Sequence, residues 1–525
     1  MMSCNRRGLR VKLLRKDLIE RVPLPEAERQ IIRCAGGELP RMVDQAEAAL
    51  MSPAAHLYVR GSLLVTPVSA AVVASDGREF QAPRLHPVTD TWLVERLTSL
   101  ATFERLDRRS KAYVILDCPA TIARSLMARQ QWRLPKLAGI ITAPSLRGNG
   151  TIIAADGYDH AAKLLVVLGE TRFRPIKCAP THADARRALE DIHELFATFP
   201  FVADVDLAVA TSAVLTSLVR RMLPTAPIHA VTAHTAGSGK SLLVDLVAIV
   251  ATGRRAPVTA AGRAPEEMDK RLGAMLLQGH ALISFDNLHA PLSGDLLAQT
   301  VTQEAVMLRL LGHSITVETP TNAMLFATGN NLRIMGDLTR RCLVARLDPA
   351  CEHPELRTFD RDVLAYAAAR RADIVWAALT IMKAYLVAGR PGTLPLLGSF
   401  ETWSSLVREA IVWAGGQDPV QSMEAGRASD PQRERLLAIM AAWWDAFRDR
   451  EVTASEVIAK TGADTGLRDA LDAIKPDNQE LTAKRLGEWL AKISGQRIRD
   501  ARFETTGKRH GSAVWRLMGY EGVGA

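Results

Sequence analysis

The sequence predicts an α/β protein. A parallel-sheet core is preceded by an α+β domain and followed by a helical region and a winged-helix-like C-terminal domain. Three observations carry this. Between about Pro227 and Pro349, short apolar runs alternate with amphipathic stretches, the pattern of strands joined by helices. A glycine-rich loop, His234 to Ser241, lies between the first apolar run (Pro227 to Ala233) and an amphipathic helix (Leu242 to Ala251). Near the end, helical patterns give way to two β-like runs around a basic turn.

The chain has 525 residues, too many for one core, so several domains are expected. A hydrophobic content of 48% with few aromatics describes a globular protein. The net charge of +9 suits a polyanionic partner such as nucleic acid. Six cysteines (Cys4, Cys34, Cys118, Cys178, Cys342, Cys351) lack C-x-x-C spacing and read as reduced thiols of a cytoplasmic protein. No apolar run approaches the roughly 18 residues of a membrane span, so no membrane partner is expected. The first residues carry Arg6, Arg7, Arg10, Lys12, Arg15 and Lys16 and read as a solvated tail, not a signal peptide.

Residues 1–50 read as a basic, helical N-terminal segment. Residues 51–180 form the α+β domain, with β-like runs at Leu57–Val65, Ala70–Ala74, Ala112–Leu116, Ile140–Ala143, Thr151–Ala154 and Lys163–Val167. Residues 181–350 hold the core and its helical lead-in (Ala183–Ala197, Asp206–Met222), entered through Phe199-Pro200-Phe201. Asp204-Val205-Asp206 opens the second lead-in helix and reads as a cap.

After the loop helix come a strand at Pro257–Ala260 and a helix at Pro265–Leu277. The strand Ala281–Asp286 ends in an acid, and the helix Ser293–Thr302 follows. Val306–Leu311 and Ile315–Glu318 read as a hairpin with its tip at Gly312-His313-Ser314. Ala323–Thr328 is a buried strand, and Cys342–Leu347 is the last. Residues 351–429 are helical, with Trp376, Trp403 and Trp413 at core-like positions. Residues 430–525 give helices at Pro431–Arg448, Ala454–Thr461 and Thr482–Ile493, then strands at Arg497–Thr505 and Ser512–Leu517.

The loop reads as a phosphate cradle in which His234 replaces the usual first glycine. Backbone N–H groups of Thr235, Ala236, Gly237, Ser238, Gly239, Lys240, Ser241 and Leu242 can curl around a polyphosphate at the positive end of a helix. Lys240 can reach the β- and γ-phosphates, and Ser241 can hold Mg²⁺. ATP with Mg²⁺ is therefore the expected ligand.

Hydrolysis needs more parts. Asp286 stands where a Mg²⁺-coordinating acid belongs; its competing reading is a cap of the next turn. Asn287 follows where a second acid is usual, and an amide orients water without taking its proton. Asn330, or its neighbour Asn331, could hold the attacking water or the γ-phosphate; read blandly, the pair is a turn. Arg340 or Arg341 could reach a neighbouring subunit's γ-phosphate. The competing reading is a basic corner paired with Asp337.

Arg309 and His313 at the hairpin end could grip a nucleic-acid backbone, or belong to a plain surface turn. Residues 484–516 carry nine basic against three acidic side chains. Lys484 and Arg485 on a helix, with Lys508 and Arg509 on a wing, suit duplex DNA; a solvated or protein-docking face is the alternative.

The order of these parts resembles an AAA+ P-loop ATPase core, and more narrowly the superfamily-3-type helicases and primase–helicases of phages, plasmids and mobile elements. The residues concerned are Thr235-Ala236-Gly237-Ser238-Gly239-Lys240-Ser241, Ile283-Ser284-Phe285-Asp286-Asn287, Ala327-Thr328-Gly329-Asn330-Asn331 and Asp337-Leu338-Thr339-Arg340-Arg341. Gly148-Asn149-Gly150-Thr151-Ile152-Ile153, Gly157-Tyr158-Asp159, Phe400-Glu401-Thr402-Trp403, Trp413 and Asp418-Pro419 extend the resemblance over roughly residues 130–420. It implies a homo-oligomeric ring, a hexamer, that hydrolyses ATP at inter-subunit sites and moves on single-stranded DNA in its pore. It also implies the cytoplasm of a bacterial or phage-infected cell. Asn287 departs from the usual acid pair and favours a second function: an ATP-switched initiator or helicase loader that assembles on DNA without unwinding it. A third is an NTPase whose basic surface binds a protein.

Overall fold

The computed structural model describes residues 25, 28–73, 79–260, 265–309, 315–424, 431–475, 480–498 and 500–520. The basic segment before residue 25, the hairpin tip with His313, Cys4 and Arg499 lie outside the described residues. The chain divides into two compact units, residues 1–332 with 341–422 and residues 333–340 with 423–525.

The first unit is built around a five-stranded, wholly parallel sheet. Its strands are β1 (Ile228–Ala233), β2 (Val258–Ala260), β3 (Leu282–Asp286), β4 (Met324–Asn330) and β5 (Cys342–Leu347), in the order β2-β3-β4-β1-β5. Ala230, Val231, Ile283, Phe285, Phe326 and Ala327 are fully or almost fully buried. That two-sided burial is why these segments read as continuous apolar runs. Helix α1 (Lys240–Thr252) follows β1, and its core face of Leu243, Val244, Leu246, Val247 and Val250 packs out of solvent. Gly253, at φ +76°, ends it in the left-handed conformation that a helix C-terminus favours. Helices α2 (Pro265–Leu277) and α3 (Asp295–Thr302) connect the later strands.

The core strands therefore lie where the sequence places them, within two residues at each end. Other elements differ. Gln30–Arg33, expected within a helical segment, is a strand paired in parallel with Ala101–Leu106. Only Ile32 of its four residues is buried, so no alternating pattern betrays it. The run Leu57–Val65 is broken into Tyr58–Arg60 and Leu63–Val73 by a turn at Gly61-Ser62. Gly61 has φ +56°, and a Cβ there would fall on the Glu318 carbonyl. Glu318 belongs to the hairpin Ala305–Arg309/Thr316–Pro320, whose backbone bonds both ways with Ser62.

Asp206 is fully buried at the third position of the helix Asp204–Val219. Its carboxylate accepts from the Ala203 N–H at 2.9 Å and pairs with Arg346 at 3.2 Å, so it caps the helix and ties it to β5. Of the three tryptophans expected at core-like positions, Trp403 is fully buried and donates to Thr216 Oγ1. Trp376 and Trp413 are half-buried. The guanidinium of Arg174 lies over the Trp376 ring, and His182 packs against Trp413.

The second unit has its own core around Trp443, Phe447, Leu486, Leu490, Phe503 and Leu517. Helices Pro431–Phe447, Ala454–Lys460, Thr465–Asp472 and Ala483–Ile493 precede a hairpin of Arg502–Arg509 and Ser512–Met518. Val452–Thr453 adds a third strand. The sequence pattern announces neither the helix Thr465–Asp472 nor that short strand, and the first hairpin strand starts five residues later than expected.

Candidate functional site

Three strand ends meet at the carboxyl edge of the sheet, where ligands of open α/β folds bind. The loop leaves β1 there, Asp286 ends β3, and Asn330 ends β4 in register with Ala233. Gly237 and Gly239 have φ of +73° and +92°. A Cβ at Gly237 would press on the Glu355 backbone, and L side chains at either position would be strained. Within the loop the Ser238 hydroxyl donates to Thr235 O at 2.7 Å and Lys240 Nζ donates to the same carbonyl at 3.0 Å. Burial lowers the Lys240 pKa, opposed by the charge of Asp286. An ammonium held this way gains most from an arriving anion.

Ser241 Oγ donates to Asp286 Oδ1 at 2.7 Å, across 45 residues of sequence. Thr328, buried in β4, donates to the same oxygen at 2.6 Å and accepts from the Asn287 N–H at 3.0 Å. Spacing alone assigns Thr328 no role; in the fold it both aims the acid and fixes the residue after it. Asn287 adopts a left-handed φ of +53°, and its amide lies 3.4 Å from His289 Nε2.

A hydroxyl and a carboxylate at one point form the donor set that Mg²⁺ takes from proteins, the remaining ligands being phosphate and water. Among the described residues no group of three His, Cys, Asp or Glu side chains gathers as a metal site, here or elsewhere, so the protein would offer the ion only this hydroxyl and carboxylate. The chemistry of the Ser241–Asp286 pair is compatible with that ion.

His234 Nδ1 lies 2.8 Å from Asn331 Oδ1, so the residue in the first-glycine position links the loop to the end of β4. Asn331 is thereby engaged, whereas Asn330 Oδ1 is buried with no hydrogen-bond partner. Buried acceptors are normally paired, and a donor such as water would satisfy this one. The two arginines part company. Arg340, in the second unit, pairs with Asp337. Arg341, in the first, donates to Thr302 Oγ1 and Ala298 O at the end of α3.

An apolar cleft of about 240 Å³ opens beside the loop, walled by Phe199, Pro200, Leu242, Phe359, Val363 and Leu364. Arg357 stacks over Phe359, and Asp362 caps the N-terminus of the helix Val363–Ala369. The walls come from segments far apart in sequence, so no spacing marks them.

The flanking motifs serve the scaffold. Asp159 pairs with Arg147, Gly150 O accepts from Lys383, and Asp418 forms a two-pronged pair with Arg408 at 2.7 and 2.8 Å. Arg309 is exposed at its hairpin end. Lys484, Lys508 and Arg509 are exposed, but Arg509 pairs with Glu456 and Arg516 with Asp449. Both acids lie outside the basic segment 484–516. No described helix is long and apolar enough to cross a membrane.

No protein-family model and no curated relative matches the sequence. Among solved structures, the A form apo structure of the NrS-1 C terminal region is similar at 11% identity and a TM-score of 0.35, over 81% of this chain and 98% of that one. A second NrS-1 C terminal region structure gives 12% identity and 0.33, over 82% and 99%. The X-ray structure of JCV helicase gives 12% and 0.20, over 44% and 68%. The likeness is loose in every case.

Proposed function

We propose that the chain is an ATP-dependent DNA helicase or translocase of phage or mobile-element replication, working as a ring. One observation supports the nucleotide reading above all. Ser241, Asp286 and Thr328, from the first turn of α1, the end of β3 and β4, converge beside a phosphate loop. In this reading the loop amides and Lys240 hold the polyphosphate, and the purine lies in the cleft between Phe199 and Phe359. Mg²⁺ held by Ser241 and Asp286 would neutralise charge on the β- and γ-oxygens. Asn330, with its open acceptor, orients water. Arg340 or Arg341 serves a neighbouring subunit, as the resemblance of the Asp337–Arg341 segment implies, so each site is shared.

The second unit supplies a winged-helix-like contact with duplex DNA. Lys484 and Arg485 sit in the first turn of the helix Ala483–Ile493, where the helix dipole disfavours cations. A phosphate backbone against that turn removes the conflict.

Asn287 supports the second reading, an ATP-switched initiator or loader. It places an amide bonded towards His289, and no acid, after Asp286. A forked-duplex assay separates the two. Unwinding with ATP, lost in Lys240→Ala, supports the helicase; ATP-dependent assembly on DNA without strand separation supports the loader. Absence of DNA binding at low salt removes both.

A further inference from the structure

At the amino-terminal edge of the sheet, a full α1 length from the loop, a second cavity holds cations without acids. It is bordered by the end of α1 (Ala251, Thr252) and the starts of β3 and β4 (Leu282, Met324). Thirteen residues of α1 put about 20 Å between it and the loop. Arg84, Arg220, Arg221, Arg254 and His280 line it, and no Asp or Glu is among its lining residues.

Not all of the arginines are satisfied, while His280 Nε2 lies 3.0 Å from Gln278 Oε1. Arg220 is spent on structure: it donates to Ala323 O, Leu223 O and Thr321 O and so laces the strand starts together. Arg221, nine-tenths buried, donates to Asn322 and to Gly279 O at 2.7 Å, but its Nε has no partner. Arg84 Nε is likewise buried and unpartnered. Burial holds the Arg221 pKa down to about 9, with Arg60 and Arg220 pushing the same way. Burial, then Arg84, Arg254 and Arg221, drives His280 to about 4. Every charged neighbour acting on Arg221 and His280 is a cation. Buried charges of one sign are normally paired, because desolvation without a counter-charge is strongly unfavourable.

We propose that this cavity is a second phosphate-binding site, in which Arg84, Arg221, Arg254 and His280 surround one tetrahedral oxyanion. Its size agrees. About 40 Å³ of open space equals a few waters at about 10–15 Å³ each, which suits one phosphate group and excludes a whole nucleotide. The phosphate comes either from a small free phosphate compound or from the backbone of a nucleic acid threaded past the cavity mouth. Because the site sits where the first-unit strand pair Leu63–Val73 and Glu79–Pro87 meets the turn between α2 and β3, through the Leu85 N–H on Gln278 O, its occupant would clamp those two elements together.

The test uses the full-length Lys240→Ala protein, in which the loop is silenced. Hydrogen exchange is followed at Gly279–Leu282 and, as a control, at residues 235–241. Inorganic phosphate is added in one arm and a single-stranded oligodeoxynucleotide in the other. Slower exchange at Gly279–Leu282 in either arm is expected, with apparent affinity about tenfold or more weaker in Arg254→Gln and in Arg84→Gln, the loss for one charge-assisted bond. Protection by phosphate assigns a free anion; protection by the oligonucleotide alone assigns a backbone phosphate. No protection in either arm overturns the proposal, as does protection that neither substitution weakens. Should Arg254→Gln not fold, Arg254→Lys and the exchange of the Lys240→Ala protein still decide. The outcome is independent of whether the loop binds ATP.

Discussion

Replacing Thr328 by Val keeps the shape of a buried β4 residue and deletes one hydroxyl. That hydroxyl, on a residue 1% exposed, donates to Asp286 Oδ1 at 2.6 Å and accepts from the Asn287 N–H at 3.0 Å. A hydrogen bond to a charged acceptor contributes about 1.5–3 kcal/mol, and an orphaned N–H costs a further amount of similar size. Asp286 retains Ser241, and Asn287 is exposed enough for water to reach it, so the net loss in holding the acid is about 2 kcal/mol. That is about thirtyfold in turnover. Steady-state ATP hydrolysis at saturating Mg²⁺ reads it directly, with circular dichroism as the check on folding. Thr328→Ser, which keeps the oxygen, should stay close to wild type. A folded Thr328→Val protein that turns over at the wild-type rate would refute the role given to Thr328.

Further outcomes follow from the same geometry. Phe199→Ala and Phe359→Ala should each weaken nucleotide binding by about 1–2 kcal/mol, roughly five- to thirtyfold, without altering its Mg²⁺ dependence; fluorescence titration decides, and unchanged affinity empties the cleft of its base. Acid should destabilise the first unit early. Burial lowers His229 to about 3 and His280 to about 4, from 6.5. Between those values the unfolded chain binds protons that the native one does not, so stability falls as pH drops below about 6.5. For His280 the full loss is at most about 3 kcal/mol, complete near pH 4. Urea midpoints measured from pH 7 to 5 check this, since carboxylates contribute little there; a flat profile contradicts it. Changing Lys484, Arg485, Lys508 and Arg509 to Gln should flatten the salt dependence of duplex binding by about 0.9 for each phosphate no longer neutralised; an unchanged slope removes that face from the interface.

Much of the core was legible because buried parallel strands leave continuous apolar runs. The loop, Asp286 and Asn330 each stand at the end of such a run, so strand position carried their assignment. What spacing could not show was convergence. Thr328 looks like an ordinary β-branched strand residue until β3 is laid beside β4. The cleft takes its walls from residues 199–200 and 359–364, and the cationic cavity takes its arginines from positions 84, 220, 221 and 254. Asn330 and Asn331 were indistinguishable by sequence; the tertiary bond from His234 to Asn331 separates them. Two arginines of the basic C-terminal segment, Arg509 and Arg516, pair with Glu456 and Asp449, acids that its own sequence does not contain.

The most direct measurement is calorimetric titration of the full-length protein with a non-hydrolysable Mg²⁺–ATP analogue, repeated with Lys240→Ala. One nucleotide per chain is expected, with affinity falling about a hundredfold in the variant, the loss of a charge-assisted interaction worth about 3 kcal/mol. A wild-type protein that binds no nucleotide, or a folded Lys240→Ala protein that binds it equally well, would contradict it.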